Sequence, residues 1–149
     1  MSVTIRRATA ADAQRICDIN RSALGYDSQP ETVRVQLARV IARETDRVWI
    51  AWDDAAATVA GFVHAADYET LHSGSQKNII ALAVDPAWQG QGLGRLLTEA
   101  VEAWALACGC NAVRLVSSFA RVDAHAFYLH CGYRLRKEQK NFIKEFGRL

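Results

Sequence analysis

Hydrophobic positions along this chain change period several times. Val3 to Arg7 is a short β-branched run that reads as an opening strand. Apolar residues then recur at three- and four-residue steps, with Ile16, Ile19, Ala23 and Leu24 forming the buried side of a first helix. Thr9-Ala10-Ala11-Asp12 ahead of it offers a capping threonine with an acid three positions on. Ser28-Gln29-Pro30-Glu31 starts a second helix, with Val33, Leu37, Val40 and Ile41 on one face. Arg47 to Trp52, Thr58 to Asp67 and Asn78 to Val84 return to strand character, the first two joined by an Asp-Asp-Ala turn.

Beyond Val84 the helical period returns, in Leu93, Leu96, Leu97, Ala100, Val101 and Trp104. Ala112 to Val116 reads as a strand. Ala124, Phe127, Tyr128 and Cys131 form the inner face of a short helix that Gly132 stops. Tyr133 to Arg136 and Asn141 to Lys144 are then expected to complete the sheet. The expected order is β-α-α-β-β-β-α-β-α-β-β. Periodicity by itself supports a mixed α/β fold and no more.

The junction between the Ile79–Val84 strand and the third helix is Gln89-Gly90-Gln91-Gly92-Leu93-Gly94-Arg95. Glycines at a helix N-terminus let an anion approach backbone N–H groups that lack an intrahelical partner, where the helix dipole adds partial positive charge. The spacing is not the dinucleotide fingerprint G-x-G-x-x-G, and no Gly-Lys-Ser/Thr follows as in a P-loop. Taken alone the glycines leave two readings open, a tight connection or a phosphate-holding turn.

The same residues resemble the GCN5-related N-acetyltransferases, whose signature Gln/Arg-x-x-Gly-x-Gly/Ala is matched by Gln89-x-x-Gly92-x-Gly94. Leu82-x-Val84-x-Pro86 ahead of it, and Ala124-x-x-Phe127-Tyr128-x-x-x-Gly132-Tyr133 about thirty residues on, also look like that family. The element order is the one the family uses, so the resemblance covers nearly the whole chain. It implies one acetyltransferase-like domain over residues 1–149, with a mostly antiparallel twisted sheet flanked by helices.

Composition agrees with one enzyme domain: 149 residues, half of them hydrophobic and 23% charged. There is no apolar run of about 18 residues and no apolar segment behind Met1. A cytoplasmic protein with no membrane partner is expected. Cys17, Cys108, Cys110 and Cys131 lack the spacing of a zinc set, so reduced thiols and no metal are expected. The net charge of +2 is uneven: residues 134–149 hold six Lys/Arg and two Glu, or +4, leaving −2 for the rest. Without an aromatic ladder beside it, this basic end reads as a solvated face rather than a nucleic-acid surface.

The activity implied by the resemblance is transfer of an acetyl group from acetyl-CoA to a primary amine of a small molecule or a protein, by direct attack in a ternary complex. The resemblance implies that the CoA pyrophosphate lies on the backbone of Gln89, Gly90, Gln91, Gly92, Leu93, Gly94 and Arg95, and that the pantetheine arm pairs with the open edge of Leu82, Ala83 and Val84. It also implies that Phe127 and Tyr128 border the cofactor, with Tyr128 as the acid that protonates the departing thiolate. An asparagine usual six residues before this Phe is replaced by Arg121, which either contacts CoA differently or faces solvent.

Asp67, Glu69 and His72 suit proton relay near an acceptor, and Glu69 is the base carried forward. His125 and His130 flank Tyr128 but cannot both share its face, and His130 is expected to point outward. Tyr26, Asp27, Tyr68 and Glu69 would frame a cationic acceptor. A homodimer is kept as a possible partner state. A CoA-binding sensor without turnover is the alternative, which Tyr128 disfavours and the missing asparagine leaves open.

Overall fold

A computed structural model describes residues 2–147. They divide into two compact units, one ending at Val116 and the other beginning at Ser117. The first holds β1 (Val3–Arg7), α1 (Ala13–Leu24), α2 (Pro30–Ile41), β2 (Asp46–Asp53), β3 (Thr58–Tyr68), β4 (Gln76–Val84), α3 (Leu93–Ala107) and β5 (Ala112–Leu115). The second holds α4 (Val122–His130).

The strands form one sheet in sequence order. β1 to β4 are antiparallel neighbours, whereas β4 and β5 run parallel, so the chain must cross over between them, and α3 is that crossover. Alternate residues of β2 and β3 point to opposite faces. Val48, Ile50 and Phe62 pack with Ile16 and Ile19 of α1 and Leu37 of α2. Trp49, Ala51, Val63 and Ala65 pack with Leu93, Leu97, Val101 and Trp104 of α3. Each Val, Leu, Ile or Phe side chain among these removed from water contributes about 1.5–3 kcal/mol, so both faces of the sheet are held from the two sides.

The expected α1 and α2 faces agree with this core, and Gly132, at φ 93°, follows α4 as the expected stop. Two expectations are corrected. Leu96 is exposed, because the buried stripe of α3 runs through Leu93, Leu97 and Val101 and leaves it on the rim. The two closing strands are absent: residues 133–147 form no strand, and Leu135, Phe142, Ile143 and Phe146 are exposed. Alternation marks a segment that could lie on a sheet, but a strand exists only through ladder bonds to a neighbour, and this segment makes none. All four cysteines are free, and only Cys17 is buried.

The entry to α1 is tied to β1 by Asp12, which is buried and accepts two bonds from the Arg6 guanidinium, at 2.9 and 3.0 Å, and one from the Thr9 amide at 2.8 Å. Burial alone would push the Asp12 carboxyl up, but Arg6 and Thr9 outweigh it and hold its pKa below the ordinary value. A depressed carboxyl stabilises the fold above its unfolded pKa, and the contribution is lost as pH falls through the folded one. Asp12→Ala is expected to cost about 1–3 kcal/mol in urea unfolding at neutral pH, with a smaller difference from wild type below about pH 3, under the ordinary Asp pKa of about 3.9.

Candidate functional site

β4 is bonded to β3 from Gly61↔Val84 to Tyr68↔Gln76, but to β5 only over Gln76–Ile79. From Ile80 to Val84 its second edge has no neighbouring strand among the described residues. A bulge marks the departure: Ala81 lies opposite His64 and Ile79 opposite Ala65, so Ile80 has no ladder partner, and its side chain is exposed. An extra residue of this kind bends a strand and ends pairing. Leu82 and Val84 pack toward α3, and Ala83 is buried toward α1 and α2. With their side chains committed to the two cores, these residues present backbone to the open edge.

The open edge leads into a tightly held loop. Asp85 accepts from the Ala87 amide at 2.9 Å, opening a short 3-10 turn at Pro86–Trp88. It also pairs with Arg15 of α1 at 2.9 Å, and that guanidinium donates twice to the Val59 carbonyl, at 2.8 and 3.1 Å. The Trp88 indole donates to Asp53 at 2.8 Å. The Gln89 side chain donates to the Val84 carbonyl at 3.0 Å, so the signature glutamine fastens the loop to the strand before it.

Gly90 and Gly92 have φ of +79° and +85°, with nothing within 4 Å of an added Cβ. Torsion, not space, asks for glycine there. Gly92 caps α3, and its carbonyl accepts from the Leu96 amide. The amides of Leu93, Gly94 and Arg95 precede the first intrahelical bond, no side chain caps them and no acid lies in the first turn. Gln91 and Arg95 are exposed. The positive end of the helix dipole is left uncompensated.

In the second unit Tyr128 is half-buried, its ring edge-on to Phe127 at 5.1 Å and to Tyr133 at 5.8 Å. Burial raises the phenol pKa, and the opposing charge of Arg121 does not cancel it, so the hydroxyl keeps its proton through neutral and mildly alkaline pH. Arg121 precedes α4 and is exposed. The His125 ring bonds to the Ser118 carbonyl at 2.8 Å, and His130 is exposed, as expected.

Of the residues expected around an acceptor, Tyr26 and Asp27 are exposed on the loop between α1 and α2. Tyr68, at the end of β3, lies under the Arg114 guanidinium at 4.2 Å, and Arg114 donates to Asn78 at 2.7 Å. Glu69 is exposed and accepts from Ser75 at 3.0 Å. Asp67 is paired with Lys77, and His72 is exposed. The structure adds a pair that sequence reading passed over: His64 of β3 and Asp46 of β2, joined Nε2 to Oδ2 at 2.7 Å. Its one sequence signal is a histidine inside the apolar run Val59 to Ala66. Among the described residues no group of three or more His, Cys, Asp or Glu could hold a metal ion, and no helix is long and apolar enough to cross a membrane.

The family model described as Acetyltransferase (GNAT) family matches residues 13–133. Aminoglycoside N(6')-acetyltransferase type 1 of Stenotrophomonas maltophilia is 31% identical over 134 residues, covering 87% of this chain and 85% of that protein. The fold is shared with aminoglycoside 6'-N-acetyltransferase AAC(6')-Ih of Acinetobacter baumannii, at TM-score 0.84 and 15% identity over 98% of this chain and 100% of that one. AAC(6')-Iy, solved with the bisubstrate analogue CoA-S-monomethyl-acetylneamine, gives 0.85 and 15% over 97% and 99%. The chain belongs to the GNAT acetyltransferase family and is an N-acetyltransferase.

Asp85→Ala removes both the turn bond and the Arg15 pair. We expect a loss of about 1–3 kcal/mol in urea unfolding, with faster hydrogen exchange confined to amides of residues 86–96.

Proposed function

We propose that this enzyme binds acetyl-CoA with the pyrophosphate on the backbone of residues 89–95 and the pantetheine arm laid as an added strand along Leu82, Ala83 and Val84. The observation that carries this reading is the unpaired β4 edge running directly into a glycine-flanked helix N-terminus that no side chain caps. One supplies unused strand hydrogen bonds and the other unused amides with positive potential, in the order a phosphate with an amide-containing tail requires. From Val84 back to Ile80 the edge spans about 13 Å, which directs the thioester toward the bulge.

The acceptor is a primary amine of a small molecule, with aminoglycosides the first class to test because a relative covering most of the chain bears that name. Tyr26, Asp27, Tyr68 and Glu69 offer aromatic and acidic groups suited to a polycationic amine. The neutral amine attacks the thioester carbonyl, the C–N bond forms as the C–S bond breaks, the nitrogen gives up one proton to solvent, and the Tyr128 hydroxyl protonates the thiolate and regains its own proton from solvent. A phenol with a raised pKa suits that task, since it enters each turnover protonated. Phe127 and Arg121 border the cofactor in this reading.

Isothermal calorimetry with acetyl-CoA, followed by CoA release over an amine panel, tests both halves. Gly92→Asp is expected to weaken acetyl-CoA binding at least tenfold, through strain at positive φ and a charge beside the pyrophosphate; unchanged affinity would remove the phosphate site. Tyr128→Phe should lower kcat by about 10²-fold or more with little change in acetyl-CoA affinity. Because the phenol pKa lies above its ordinary value of about 10, wild-type kcat should show no loss from phenol ionisation up to about pH 9; a Tyr128-dependent decline below that would contradict the assignment.

A further inference from the structure

The acetyl transfer needs an acceptor nitrogen without its extra proton, and one face of the sheet carries an unassigned group able to take it. His64 follows Phe62 by two on β3 and Asp46 precedes Val48 by two on β2, so both belong to the face whose other end packs on α1 and α2. Here that face turns polar: Asp46, His64, Tyr68, Asn78 and Arg114 replace the apolar residues of the core. Asp46 is buried, accepts from Thr45 at 2.7 Å and lies 3.9 Å from Arg43. Burial would push its carboxyl up, but His64, Thr45 and Arg43 outweigh this and hold it down, so it stays ionised.

An ionised Asp46 accepts from His64 Nε2 and thereby selects one imidazole tautomer, with the proton on Nε2 and the lone pair on Nδ1. Nδ1 has no hydrogen-bond partner among the described residues. The side chain is 19% exposed. In the ladder His64 is opposite Ala81, the residue next to the bulged Ile80 where β4 parts from β5. Facing residues of a pair carry their Cβ atoms within about 5 Å of each other, which puts the imidazole one strand from the point toward which the thioester is directed.

We infer that His64, held in this tautomer by Asp46, is the general base for the acceptor amine. This rests on the acetyl-CoA placement proposed above. His64 Nδ1 takes one proton from the acceptor ammonium, directly or through one water. The neutral amine forms the C–N bond; the nitrogen loses a second proton to solvent as the C–S bond breaks, and the departing thiolate gains one from Tyr128, which is reprotonated from solvent. The imidazolium returns its proton to solvent, so each turnover yields amide, CoA thiol and one net proton. Asp46 is a positioning residue. The charged groups brought to the imidazole are Asp46 from β2 and, behind it, Arg43 from the α2–β2 turn; Arg114 of β5 shares the face but is engaged with Tyr68 and Asn78.

The test uses the full chain, acetyl-CoA and an amine that wild type acetylates. His64→Gln is expected to keep acetyl-CoA affinity, lower kcat/KM by about 10²-fold and lose the acidic limb of the wild-type pH profile; added imidazole should restore turnover to His64→Ala. Asp46→Asn, which permits the wrong tautomer, should lower kcat more than it changes KM, with recovery in Asp46→Glu. A wild-type pH profile retained in H64Q, or a limb lost in E69Q and not in H64Q, overturns the assignment while leaving the acetyltransferase reading intact. If wild type binds acetyl-CoA yet acetylates no amine in the panel, the acceptor reading and the His64 role both fall.

Discussion

The backbone N–H and C=O groups of β4 point alternately to its two edges, and the sheet satisfies only one of these edges throughout. β3 accompanies β4 over its whole length, whereas β5 stops pairing at Ile79. The bulge at Ile80 lets these two facts coexist, since one added residue keeps Ala81 to Val84 in register with β3 while bending the strand away from β5. The unpaired stretch is the feature on which the proposed donor site depends: strand-like hydrogen-bonding capacity on an interior strand, at the point where its neighbour β5 has stopped pairing.

Such an edge is useful only if it is held still, and the contacts around it come from separate parts of the chain. Arg15 of α1, Asp53 of β2 and the Val84 carbonyl each take hold of a different residue of the 85–89 loop. The loop therefore carries little freedom into the Gly90–Gly92 turn, and the amides of the first turn of α3 are directed before any anion arrives. That is preorganisation, in which ordering costs are met on folding rather than on binding. The same economy holds on the opposite side of β3, where Asp46 fixes the His64 ring.

Much of this was legible in the chain. The helical faces of α1 and α2, the strand before the glycines, the stop at Gly132 and the family signature all depend on local spacing, which sequence displays directly. Leu96 fits the spacing yet is exposed, because a stripe of three- and four-residue steps is wider than the surface the sheet offers it. The closing strands do not form, because the short apolar–polar alternation of Tyr133 to Arg136 and the apolar pair Phe142-Ile143 find no strand to pair with. Gln89 was legible as a signature residue but not in its contact, since a bond to Val84 depends on how the loop folds back.

Sequence alone determined the family, the order of elements from β1 to α4, and a glycine-flanked helix start able to face an anion, because each is a matter of residue type and near-neighbour spacing. Tertiary structure decided the rest. That Asp46 and His64 share a hydrogen bond follows from strand register, and one residue of slip would turn them to opposite faces. That β4 has an open edge follows from where β5 ceases to pair. Neither is encoded at any one position, because each is a relation between strands that only the assembled sheet defines.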